Sequence, residues 1–130
     1  MNNKRIVAAI LTILIAGCAW TATARESSRI PRISEALAYY FYQKGEFPLA
    51  IREYRKLASS QEDNARYYYN LGCLYTKIRN FPDAIRAFKK AARSEVLRKD
   101  ACYNLAVIYG RHLKNTEKAD TFYCRYQDAD

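Results

Sequence analysis

Phe47-Pro48-Leu49-Ala50-Ile51-Arg52 returns 34 residues later as Phe81-Pro82-Asp83-Ala84-Ile85-Arg86. A second block does the same: Tyr69-Asn70-Leu71 returns as Tyr103-Asn104-Leu105, and Tyr75 as Tyr109. A fixed period of this size marks a chain of stacked supersecondary units, each burying its apolar face against a neighbour. Within one period the spacing is helical. Leu71, Tyr75 and Ile78 stand at i, i+4 and i+7, and so do Ala84, Phe88 and Ala91. Pro48 and Pro82 suit the first turn of a helix, where a missing N–H costs nothing. Asn80 fits as the cap before such a turn.

The two blocks together resemble the tetratricopeptide repeat, whose pattern is aromatic-x-x-Leu-Gly-x-x-Tyr on a first helix and Ala-x-x-x-Phe-x-x-Ala on a second. The middle repeat reads Tyr68-x-x-Leu71-Gly72-x-x-Tyr75, then Ala84-x-x-x-Phe88-x-x-Ala91. The first has Leu37, Ala38, Phe41, Ala50, Tyr54 and Leu57, with Ser34 in place of the leading aromatic. The third has Cys102, Leu105, Ala106, Tyr109, Ala119 and Tyr123, with one extra residue expected in the loop around Lys114-Asn115.

The resemblance implies an all-α fold: three helix-turn-helix hairpins, at about 31–64, 65–98 and 99–130, stacked in a short right-handed solenoid. Helices are expected near 32–44, 47–59, 65–78, 81–93, 99–112 and 116–128. Small residues face each other where two helices cross: Ala38 with Ala50, Gly72 with Ala84, Ala106 with Ala119. Large aromatics fill the rest. The last helix, with Phe122, Tyr123 and Tyr126, is expected to expose apolar surface, as a frayed end or as a face for a partner or a second copy.

In this family the first helices line a concave groove that holds a protein or peptide. Carried over position by position, the groove takes Arg32, Glu35, Tyr39, Tyr42 and Gln43 from the first repeat. The second gives Arg66, Tyr69, Cys73, Thr76 and Lys77; the third gives Asp100, Tyr103, Val107, Gly110 and Arg111. Tyr39, Tyr42, Tyr69 and Tyr103 with Arg66, Lys77 and Arg111 make an aromatic, net basic set. Tyrosine offers a large apolar face with one polar end at low entropic cost. The interleaved cations suit a client segment with acidic residues or a free C-terminal carboxylate. Asn70 and Asn104 sit where the family commonly has Asn and read as structural.

The N-terminus carries an address. Lys4 and Arg5 precede Ile6–Ala16, an apolar run broken by Thr12, which is the secretory pattern. Ile15-Ala16-Gly17-Cys18 then resembles the bacterial lipobox. That resemblance implies a signal peptide of residues 1–17, a Cys18 that becomes the acylated first residue, and a tether over 18–30. Several acyl chains on one residue hold stably at a membrane. Ala19 after the cysteine implies the outer membrane, on its periplasmic side. Ala22-Thr23-Ala24 leaves a second reading, ordinary cleavage and a soluble periplasmic protein. The charge-free stretch Ile6–Ala24 leaves a third, an uncleaved anchor.

Composition bounds the rest. With 130 residues, half of them apolar, the chain makes one small domain and is not disordered throughout. Lys and Arg number 22 against 13 acids, a formal charge of +9. Seven cations, Arg52, Arg55, Lys56, Arg86, Lys89, Lys90 and Arg93, fall on second helices and read as a solvated face near anionic headgroups. An exported protein meets little nucleic acid, and no nucleic-acid partner is expected. Cys73, Cys102 and Cys124 lack metal-site spacing. Cys102 and Cys124 fall at matching heights on antiparallel helices, which leaves a bridge open. His112 is the one histidine, and no nucleophile has a recognisable base. No cofactor and no catalysis are expected. The expected role is a lipid-anchored interaction scaffold, by analogy with pilotins and assembly factors for pili, secretion and envelope complexes. The alternatives are a soluble periplasmic adaptor or regulator of cell-wall enzymes, and a self-associating structural subunit.

Overall fold

The computed structural model describes residues 29–128. Cys18 and the Ala22-Thr23-Ala24 site lie outside the described residues, as does the side chain of Cys124 and with it the Cys102–Cys124 bridge. Residues from Ser34 onward form one compact unit, and the architecture below is that of this unit.

Six α-helices follow one another: α1 (Arg29–Gln43), α2 (Phe47–Ser60), α3 (Ala65–Lys77), α4 (Phe81–Ala91), α5 (Glu95–Val107) and α6 (Thr116–Gln127). A π-helical turn, Ile108–His112, extends α5. The helices pair as three antiparallel hairpins. The first seam closes on Ala38 and Ala50, both wholly buried. With Ile51, Tyr54, Leu57, Tyr67, Leu71 and Leu74 they form one core cluster. A second cluster joins the middle hairpin to the third through Ala84, Phe88, Ala91, Ala101, Leu105 and Ile108.

The close approach expected at Gly72 is real. A Cβ there would sit 2.7 Å from the Phe88 ring, so that only hydrogen lets the ring lie on the α3 backbone. Phe88 is 1% exposed in consequence. Ala106 holds the matching place in the third hairpin and already carries a Cβ. There Tyr123, expected to fill the Phe88 position, stands 48% exposed. Phe122 turns inward instead and stacks on Tyr109 at 5.5 Å between centroids.

Caps and turns set the boundaries. Asn80 accepts from the Asp83 N–H, while its own amide donates to the Asp83 carboxylate at 2.8 Å, a reciprocal cap. Asn64 and Asn115 accept from Arg66 N–H and Lys118 N–H in the same manner. Helix α5 starts at Glu95, a turn earlier than the repeat pattern predicts. Ser94 stands in the extended conformation of a cap, and Glu95 places a carboxylate at the positive end of the helix.

Each hairpin turn passes through one residue with positive φ: Gly45 at 76°, Arg79 at 60° and Lys114 at 53°. The first two turns close alike, with Gly45 N–H bonded to Tyr42 O, Glu46 N–H to Phe41 O, Arg79 N–H to Thr76 O and Asn80 N–H to Tyr75 O. In the third turn Asn115 N–H reaches back one residue further, to Tyr109 O. The sequence places the extra residue in the loop around Lys114-Asn115, but it does not lengthen that loop. It is taken up inside the helix as the π turn, the usual accommodation of a one-residue insertion.

Candidate protein-binding groove

The first helix of each hairpin, α1, α3 and α5, supplies the candidate groove. Helical periodicity puts Tyr39 and Gln43 on one side of α1, turned from the buried Ala38, with Tyr42 on the edge between that side and the Ala38 seam. Tyr39 is 60% exposed, and its hydroxyl accepts from Gln43 Nε2 at 2.7 Å. Tyr42 is exposed too, tilted on Phe47 at 6.1 Å. Lys77, from the last turn of α3, holds its ammonium 5.9 Å from the Tyr42 centroid and 6.0 Å from that of Phe47. An aromatic pair beneath an exposed cation can take an apolar side chain and a carboxylate at neighbouring points.

The other candidates divide. Arg66 is exposed, and its charge is shared with Glu35 at 3.3 Å across α1 and α3. Tyr69 is half-buried, its ring edge-on to Phe88 at 5.6 Å. Its hydroxyl accepts from Asn104 Nδ2 at 3.2 Å, and the same amide donates to Asp100 O at 2.8 Å. Burial pushes the Tyr69 phenol up, and burial also raises the neighbouring Cys73 thiol, keeping it protonated. Burial likewise raises the Tyr54 phenol, and Asn70 beside it works against that shift. Both asparagines thus tie first helices to neighbouring elements.

Tyr103 is exposed, but its ring leans on Tyr126 of α6 at 5.6 Å, toward the far end of the stack. Arg111 stands exposed in the π turn. The structure therefore brings Tyr42 and Lys77 together, pairs Arg66 with Glu35, and turns Tyr103 elsewhere. Sequence reasoning missed the stacking of His112, at the end of the π turn, on Phe81 at 4.6 Å. It also missed Glu53, 3% exposed, whose carboxylate takes two bonds from Lys56 Nζ at 3.0 and 3.1 Å and one from Arg52 Nε at 3.3 Å.

Among the described residues no three His, Cys, Asp or Glu side chains converge as metal ligands would. Among them also, no helix is long and apolar enough to cross a membrane.

Comparison with known proteins agrees with this geometry. Three tetratricopeptide-repeat family models match, at residues 35–76, 65–95 and 99–130. A solved structure titled "Crystal structure of MamA" superposes with a TM-score of 0.71 at 17% identity, over 76% of this chain. The match covers 57% of that chain, and at this identity the likeness is one of fold. No curated protein matches the chain.

Proposed function

We propose, for a chain built of tetratricopeptide repeats, a role as a non-enzymatic scaffold that holds a client protein segment on its first helices. The observation that carries this reading is the exposed Tyr42–Lys77 pair, with Tyr39 beside it. Its chemistry fits a client segment with an aromatic or aliphatic side chain next to an acid, or a C-terminal carboxylate. Arg111 extends the positive side. Arg66 contributes less, because Glu35 already neutralises it.

The lipobox-like Ile15-Ala16-Gly17-Cys18 supports a lipid anchor on Cys18, at the periplasmic side of a bacterial outer membrane. Such an anchor raises the local concentration of the scaffold where envelope machines assemble. The proposed role is accordingly in the assembly of a pilus, secretion or other envelope complex. A second reading, self-association through the last hairpin, rests on the exposed rings of Tyr103 and Tyr123.

Two measurements test the proposal, the first on protein extracted from membranes and the second in cells. The intact mass should correspond to a chain starting at Cys18 with several acyl groups. A chain starting at Arg25 without lipid moves the role to the soluble periplasm. Cross-linking in cells should recover a client that is lost when Lys77→Glu is introduced. Recovery of the chain itself as the main cross-linked product decides for self-association.

A further inference from the structure

The second helices carry a repeated basic stripe that the groove does not use. Arg52, Arg55 and Lys56 share one side of α2. Arg86, Lys89 and Lys90 take the same places on α4, and Arg93 continues the row just past it. All seven are exposed. The two helices bear two acids, and both are occupied. Glu53 is buried under Arg52 and Lys56. Asp83 is bonded to Asn80 and Arg86. Arg55, Lys89 and Arg93 have no ion-pair partner among the described residues, although Glu62 and Asp63 of the next loop lie near Lys90 and Arg93 at the rim. Between α2 and α4 a cleft of about 490 Å³ gathers Arg55, Arg86 and Lys90 around Tyr68, with Asp83 and Glu62 also on its wall.

We infer that this face lies against anionic phospholipid headgroups. Seven cations outnumber the two occupied acids of these helices and Glu62 and Asp63 at the rim, which leaves a net positive surface complementary to phosphate, and guanidinium forks match phosphate oxygens in pairs. The stripe lacks what a single-stranded nucleic-acid surface needs, open aromatic faces among the cations. The two aromatics of its cleft, Tyr68 and Tyr75, are half-buried against the core, and Tyr68 has Lys90 Nζ 4.6 Å over its ring. A bilayer is the occupant because nineteen charge-free residues, Ile6–Ala24, and Cys18 lie in the same chain. In this the inference rests on the anchored reading above. It adds an orientation: the second helices face the lipid, and the first helices, with Tyr39, Tyr42 and Lys77, face away from it toward the client.

Native lysines report that orientation. The full chain is bound to vesicles of phosphatidylcholine, or of phosphatidylcholine with a third phosphatidylglycerol, and acetylated briefly; each lysine is read by mass spectrometry. On the anionic vesicles Lys56, Lys89 and Lys90 should react about fivefold more slowly, with Lys77 unchanged. Salt at about 0.5 M, which shortens the screening length to a few ångströms, should remove the protection. Arg55→Glu with Lys89→Glu should remove it for Lys56 and Lys90 while the helical circular dichroism is kept.

Equal reactivity on both lipids, or protection of Lys77 in place of the stripe, overturns the inference. So does a duplex oligonucleotide that shields the stripe when anionic vesicles do not. Failure of the anchor is separately visible: the chain then fails to float with phosphatidylcholine vesicles, yet keeps its lysine protection on anionic ones.

Discussion

A methyl group on Gly72 would fall within 2.8 Å of three atoms of the Phe88 ring. Both partners sit on helices with buried neighbours, so neither can step aside freely. Gly72→Ala is expected to cost about 1–3 kcal/mol in urea unfolding, and Phe88→Leu in the same chain should recover part of it. Glu53 makes a second prediction at this scale. The Lys56 hydrogen bond, helped by the charge of Lys56 and by the hydrogen bond and charge of Arg52, outweighs the upward push of burial and holds the Glu53 carboxyl below the usual carboxylate range. A pKa lowered by folding contributes stability above the usual range and loses it as pH falls through the folded value. Glu53→Gln should therefore flatten the acid limb of the stability–pH profile and leave its shape above neutrality unchanged. Gly72 is legible in the sequence, because glycine weakens a helix interior and its place among bulky aromatics marks a close approach. Glu53 is not, since nothing in Arg52-Glu53-Tyr54 separates a buried acid from a solvated one.

The hairpin turns obey the repeat closely. Gly45, Arg79 and Lys114 occupy the same left-handed turn position, yet glycine stands at only the first. An arginine or lysine there carries a Cβ that the left-handed region disfavours. Arg79→Gly and Lys114→Gly should each raise unfolding stability by about 0.5–1 kcal/mol, and Gly45→Ala should lower it by a similar amount. The repeat period locates five of the six helices to within about three residues, because Pro48, Pro82 and Asn80 punctuate the chain at fixed offsets. It misplaces the start of α5, where Ser94-Glu95 is a start signal outside the repeat pattern. Nor does the sequence say where the third repeat stores its extra residue. Tyr109 and Ala119 bracket it, and a longer loop and a π turn satisfy both anchors equally well. The hydrogen bond from Leu113 N–H to Ile108 O decides it.

The whole stack has two unlike faces, tyrosine-rich first helices and cation-rich second helices. A client held beside Lys77 by its acids should bind about tenfold more weakly to Lys77→Glu, and more weakly still as salt rises, by titration of the purified chain. Of the groove read from sequence, the Tyr42–Lys77 pair stands together, while Tyr69 and Tyr103 spend their rings on Phe88 and Tyr126. Family position tells which side of a helix a residue occupies. It does not tell whether the neighbouring repeat leaves that side open, which depends on the bulk of side chains one period away.

The π turn at Ile108–His112 also bears on how this chain can change length. A codon gained in a hairpin loop would rotate everything downstream unless the turn itself adapted. Here the left-handed residue, the capping asparagine and the second helix keep their relation to each other, and the surplus bulges out of α5 one turn upstream. The first helix of a hairpin is thus the place where single-codon insertions and deletions can be absorbed with the connection intact, and length variation among future sequences of this kind should gather there.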